Sequence, residues 1–186
     1  MARGASVNVS TITTSPHVGT HADAPLHVRE GAAGAESLPL SAFIGPALVL
    51  DVTPFDGAIT HASLQRVLRA AGISESPVRL LLKTGRSIAT GAFPAAWPWL
   101  DVECAAALAR DGLLLLGVDC PSVDDRDSKT LSVHHALFDG GAHILENLDL
   151  SRAATGVYDL IAAPVKFGGL DAAPTRAVLL PSLTFR

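Results

Sequence analysis

Leu113-Leu114-Leu115-Leu116-Gly117-Val118-Asp119 is an unbroken apolar run closed by a carboxylate, and it decides the fold class. Alternation of apolar and polar residues would mark a strand with one wet face. A continuous run this short marks a strand covered on both faces, as in sheets layered between helices. Just upstream, Asp101 through Arg110 predicts a helix that Gly112 terminates. The same alternation of helix and strand extends toward the N-terminus. Gly45 to Val52 (GPALVLDV) reads as a buried strand with β-branched content. Thr60 is an N-cap for a helix through Leu64, Val67 and Leu68 that ends at Gly72. Val78 to Thr84 is the next strand, and Gly85 opens a loop carrying Arg86 and Ser87. Val7 to Val9 and the residues leading to His17 read as extended. On the other side of the run, residues 120–146 are polar and glycine-bearing and read as a long functional loop. Tyr158–Val165 and Arg176–Leu180 supply two further strands. The expectation is an α/β chain: a single layered domain over residues 1–186, with a mixed β-sheet and flanking helices.

Composition narrows the function classes. The chain has 186 residues, of which 48% are hydrophobic and 17% charged, so it can bury a substantial core and is not a disordered segment. A net charge of −4 gives no reason to expect nucleic acid or an anionic membrane as partner. No stretch approaches about 18 consecutive apolar residues, and the first residues lack the apolar run of a signal peptide. Cys104 and Cys120 have neither zinc-ribbon spacing nor the density of a disulfide scaffold, which points to a reduced, cytoplasmic setting.

The chemistry lies in His17-Val18-Gly19-Thr20-His21-Ala22-Asp23-Ala24-Pro25-Leu26-His27. Pro16, Gly19 and Pro25 oppose a continuous helix. In an extended chain, His17, His21, Asp23 and His27 share one face, and a bend at Gly19 would draw the first two histidines together. That is a divalent-metal site in outline. It needs ligands from elsewhere, and the strand ending at Asp119 delivers the polar stretch that supplies them: His134 and Glu146, with His135 and His143 as competitors. Nitrogen and oxygen donors without thiolate suit zinc or manganese. His27 can be read as a further ligand, as a group supporting a ligand, or as a proton shuttle, and the shuttle is favoured because the other five residues already suffice for two ions.

The pattern S-P-H-x-G-T-H-x-D-A-P-x-H, followed by G-V-D-x-P-S, S-K-T, a histidine and I-L-E-N-L, resembles the metal-dependent cyclase superfamily, and within it the bacterial kynurenine formamidases (arylformamidases). The resemblance runs from about Val7 to the C-terminus. It implies a swivelling β/α fold, a homodimer, a two-zinc centre and hydrolysis of N-formylkynurenine, an aryl amide, in tryptophan breakdown. Carried over by motif position, His17, His21 and Asp23 hold one ion. Asp23, His134 and Glu146 hold the other, and His27 is the proton-transfer residue. Family members carry a further N-terminal stretch, an Asp-Ile-Ser-type strand with aromatic pocket residues, and this chain starts after it.

Two other readings use the same residues: an isatin-hydrolase-like enzyme opening a cyclic amide with one manganese, and a non-catalytic metal-binding protein. Other chemistries lack their motifs, since there is no G-x-S-x-G elbow, phosphate-binding glycine loop or G-x-G-x-x-G. Lys83 and Arg86 are weaker candidates for gripping a substrate carboxylate. Phe93, Trp97 and Trp99 are candidates for an aryl pocket, and Cys120 reads as a small buried hydrophobe.

Overall fold

The computed structural model describes Gly4 and residues 6–182. In chain order it contains β1 (His21–Asp23), α1 (Leu40–Phe43), β2 (Ile44–Asp51), β3 (Ala58–Ile59), α2 (His61–Ala70), β4 (Arg79–Lys83) and β5 (Trp99–Leu100). There follow α3 (Val102–Arg110), β6 (Leu115–Val118), α4 (Ser132–Asp139), β7 (His143–Glu146), β8 (Gly156–Ile161), β9 (Ala172–Pro174) and β10 (Val178–Pro181). Eight of these strands form one sheet in the order β10-β8-β2-β4-β6-β7-β1-β9. Its middle, β2-β4-β6-β7, is parallel. β8 and β10 extend it antiparallel on one side, and β1 and β9 on the other.

The central strands are covered twice. Leu80, Leu82, Leu116 and Val118 pack with Leu64 and Leu68 of α2, Leu108 of α3 and Leu137 of α4. The alternate residues Leu81 and Leu115 pack on the opposite face with Phe43, Leu148 and Leu160. All four residues of β6 are buried, as the leucine run requires. Gly117 within it has no room for a side chain, because a Cβ there would collide with Leu81 and Leu148. The mixed sheet with flanking helices is therefore the expected α/β architecture.

Local signals account for the helix ends. Thr60 Oγ1 accepts from Ser63 N at 3.2 Å, and Asp101 Oδ1 accepts from Cys104 N at 2.6 Å, each satisfying an otherwise orphaned N–H of the first turn. The 120–146 stretch departs from the expected long loop, since it contains α4 and β7. α4 escapes a local reading because its N-cap position is Leu131, in the left-handed region at φ 46°, with no capping side chain of its own. The cap comes instead from Asp124, whose carboxylate accepts from Val133 N at 3.0 Å and His134 N at 3.1 Å. The segment around His17 also differs from a single extended strand. Only His21–Asp23 is strand; residues 16–20 turn, with Gly19 at φ +74°, and Pro25–His27 form a 3-10 turn.

Candidate metal centre

Sheet register starts the site. β1 lies between β7 and β9, and His21 sits directly opposite Glu146. Residues facing one another across an antiparallel pair project to the same side, and Asp23, two residues along β1, shares the face of His21. The turn at Gly19 folds His17 back over this face, and the first turn of α4 brings in His134. The distances are short. His17 Nδ1 lies 3.2 Å and His21 Nε2 3.4 Å from Asp23 Oδ1. His134 Nε2 lies 3.5 Å from Asp23 Oδ2 and 3.5 Å from Glu146 Oε1. His21 Nε2 is 3.7 Å from Glu146 Oε2.

The two carboxylate oxygens of Asp23 thus face different neighbours: His17 and His21 on one side, His134 on the other. All five residues singled out by sequence converge. Donor atoms of His21, Asp23 and Glu146 form one group that could hold a metal, and those of His17, Asp23 and His27 form a second, with Asp23 common to both. The second group brings His27 within ligand reach, as the ligand alternative for that residue requires.

Buried polar atoms are nearly always hydrogen-bonded. Here His21 Nε2, both Asp23 oxygens and His134 Nε2 are buried without a hydrogen-bond partner among the described residues. The opposite edge of each ring is held. His21 Nδ1 meets Gly19 O at 2.8 Å, His134 Nδ1 meets Asp124 Oδ2 at 2.6 Å, and His17 Nε2 meets Asp171 Oδ2 at 3.0 Å. Such partners fix the tautomer and aim the remaining nitrogen, as they do around metal-bound imidazoles. Orphaned nitrogens and oxygens converging in a buried space are the donor set a divalent cation satisfies, so the residues fit a metal.

The electrostatics agree. Burial opposes charge on His134, but the hydrogen bond with Asp124 and the close carboxylates of Asp23 and Glu146 outweigh it and hold the imidazolium up to about 10. His17 is pushed up to about 9 by the same balance, through Asp23 and Asp171. Burial also opposes ionisation of Asp23, yet the close imidazoles of His134, His17 and His21 keep its carboxyl well below the usual range. Burial, with the neighbouring charge of Asp23, raises Glu146 to about 7. Without a cation, protons hold this cluster together; with one, those protons must leave.

His27 lies at the edge of the cluster, its ring centroid 4.4 Å from that of His17 and 5.6 Å from that of His134. Its Nδ1 shares Asp171 Oδ2 with His17, at 3.1 Å. Asp171 and Asp124 are the functional residues that sequence reading misses. Asp171 lies 144 positions beyond His27, and no spacing rule connects them. Asp124 does sit in the polar stretch after β6, but its partner His134 becomes visible only once α4 is known.

The competitors separate. His135 follows His134 by one helical step, so it lines a different hollow with Arg29 and Lys129. His143 is half-buried at the start of β7 and packs on Phe43. Lys83 is occupied by Ser151 O and Ala153 O at 3.2 and 2.8 Å. Phe93 and Trp97 line the cavity above the histidines, whereas Trp99 belongs to β5 and Arg86 is not among the lining residues. Cys104 and Cys120 are both buried free thiols. No helix among the described residues is long and apolar enough to cross a membrane.

Comparison with known proteins points the same way. The family model for Cyclase matches residues 3–125. The kynurenine formamidase of Bacillus cytotoxicus is 40% identical over 176 residues, covering 95% of this chain and 81% of the relative. The kynurenine formamidase of Bacillus cereus gives the same identity and coverage. A solved structure described as a potential metal-dependent hydrolase with cyclase activity superposes with a TM-score of 0.78 at 34% identity, covering 91% of this chain and 81% of that one. Isatin hydrolase A from Labrenzia aggregata shares the fold, with a TM-score of 0.77 at 23% identity over 97% of this chain and 79% of its own.

Proposed function

Because the chain belongs to the Cyclase family, we propose that it is a metal-dependent amide hydrolase that cleaves N-formylkynurenine to kynurenine and formate, a step of tryptophan breakdown. The observation that carries the metal requirement is the set of buried, unpartnered donor atoms around Asp23. The 40% identity to kynurenine formamidases supports the substrate. His17, His21 and Asp23 would hold one ion, and Asp23, His134 and Glu146 the other. Two zinc ions fit this all-nitrogen-and-oxygen donor set, and manganese is the alternative. On the family pattern the working enzyme is a cytoplasmic homodimer.

Bound there, a divalent ion supplies Lewis acidity and lowers the pKa of water from about 15.7 toward 7. The protein's own residues do the rest. Asp23 spaces the two ligand sets through its two oxygens, one facing His17 and His21 and the other His134. The amide's other half is an aniline nitrogen, a poor leaving group until protonated. His27 stands beside the ligands with Nδ1 held by Asp171, so its second nitrogen is free to deliver that proton, a contribution typically worth about 10²–10⁴ in rate.

The test is formate release from N-formylkynurenine by zinc- or manganese-loaded protein, run beside ring opening of isatin. Formate release with inert isatin supports the proposal. Opening of isatin alone would transfer the protein to the cyclic-amide reading, and inertness of fully metallated protein toward both would leave a metal-binding protein without this activity.

A further inference from the structure

The metal-facing residues form the floor of a cavity of about 350 Å³ whose other walls the proposed chemistry has not used. One wall is aromatic. Trp97 is buried, with its Nε1 donating to Asp124 O at 2.8 Å, and Phe93 stands edge-on against it, ring centroids 5.9 Å apart. Trp97 is therefore tied to the same residue that aims His134, which fixes the wall relative to the floor. The rim carries Arg126, the sole lysine or arginine lining this cavity among the described residues. Its Nη1 donates to Ala95 O at 2.7 Å, clamping the guanidinium to the loop that bears both aromatic rings. A guanidinium has five N–H donors, so this bond leaves the group far from saturated. Among the described residues the arginine in a salt bridge is Arg29, with Asp139; no carboxylate pairs with Arg126. Asp125, also lining the cavity, has Oδ1 engaged by Asp127 N at 2.7 Å and no bond to its other oxygen among the described residues.

We infer that Arg126 is a specificity-determining residue that binds a carboxylate on the substrate's far end, selecting aryl amides that carry an amino-acid tail. The inference rests on the aryl-amide reading above and deepens it. With the amide on the floor and the ring along Trp97 and Phe93, the tail reaches the rim, where Arg126 meets its carboxylate and Asp125 its ammonium. A planar guanidinium held in place matches a carboxylate in a way that a mobile lysine does not. It replaces Lys83 and Arg86 as the carboxylate grip, since the first is spent on backbone carbonyls and the second lies outside the cavity.

The experiment compares N-formylkynurenine with formanilide, which has the same scissile bond and ring but no tail, in wild type, Arg126→Gln and Arg126→Lys. Arg126→Gln is expected to lower the ratio of kcat/KM for N-formylkynurenine over formanilide about tenfold, through KM, and Arg126→Lys to restore part of it. A ratio within twofold of wild type in Arg126→Gln overturns the inference while leaving the hydrolase reading intact. If wild type cleaves neither substrate, the hydrolase reading fails on its own, and binding decides the role of Arg126. Calorimetry with kynurenine and 2-aminoacetophenone, the same ring without the tail, then supports it if kynurenine binds more tightly and loses that advantage in Arg126→Gln. Equal binding of the two compounds to wild type refutes it.

Discussion

Replacing Asp124 by alanine strikes the centre through a residue that never faces the cation. Its buried carboxylate accepts three bonds: from Val133 N at 3.0 Å, His134 N at 3.1 Å and His134 Nδ1 at 2.6 Å. Two of these cap α4, whose own N-cap residue Leu131 offers no side-chain bond. Hydrogen bonds to an ionised group are worth about 1.5–3 kcal/mol each, and their removal is not additive. The expected loss is therefore about 3 kcal/mol, or roughly 6–12 °C in Tm for a chain of this length. Loss of the ring's anchor should also weaken metal binding about 10–100-fold. Asp124→Asn is the control. It keeps Oδ1 for Val133 N but puts an amide NH2 in place of the Oδ2 that serves His134 N and Nδ1, so part of the helix cap survives while the ring's anchor is lost: stability should fall less than in Asp124→Ala, and metal affinity about as far. The assay is thermal unfolding of metal-free protein, together with zinc affinity by chelator competition. Metal affinity within threefold of wild type in Asp124→Ala would refute the assignment of Asp124 as the group that aims His134.

Further expectations follow from the same geometry. His27→Ala should retain its metal by elemental analysis while losing about 10²–10⁴ in turnover, whereas Asp23→Ala should lose the metal, because both ligand sets share that carboxylate; full activity in metallated His27→Ala removes it from the mechanism. His17 and His134 stand at about 9 and 10 without metal, above the unfolded value near 6.5. Their stabilisation of the metal-free fold is thus complete below about pH 6.5 and lost as pH rises through 9–10. Cation binding needs these imidazoles deprotonated, so loading at pH 7 should release about two protons per centre, and the Tm gap between loaded and chelated protein should widen from pH 6 to 9. Calorimetry in buffers of different ionisation enthalpy measures the release, and none observed would contradict the ligand assignment. Gly140→Ala should cost about 1–3 kcal/mol in denaturant unfolding, because its Cβ would collide with Ala109 of α3 at the C-terminal end of α4; an unchanged midpoint would show that the contact relaxes freely.

The layered architecture was legible because its determinants are local. Thr60 and Asp101 announce their helices, and the leucine run of β6 has no polar face to leave wet. The clustering of the candidate ligands was legible because their types are rare and closely spaced, although a shared strand face explains only part of their convergence. A shared strand face joins His21 and Asp23, while His17 and His27 arrive through turns on either side. What stayed hidden is non-local. α4 is capped by a carboxylate outside it, and Asp171 reaches His17 and His27 from the turn before β9. The register that sets Glu146 opposite His21 belongs to the sheet and to neither strand alone. Arg126 carries no signature in sequence, and its significance comes from the cavity it borders.

The most direct measurement is anomalous diffraction at the zinc edge from crystals soaked in zinc. The account predicts a peak about 2.0–2.2 Å from donor atoms of Asp23, His134 and Glu146, and a second at the same range from His17, His21 and Asp23. Crystals saturated with zinc that show no peak within ligand distance of Asp23 would contradict it.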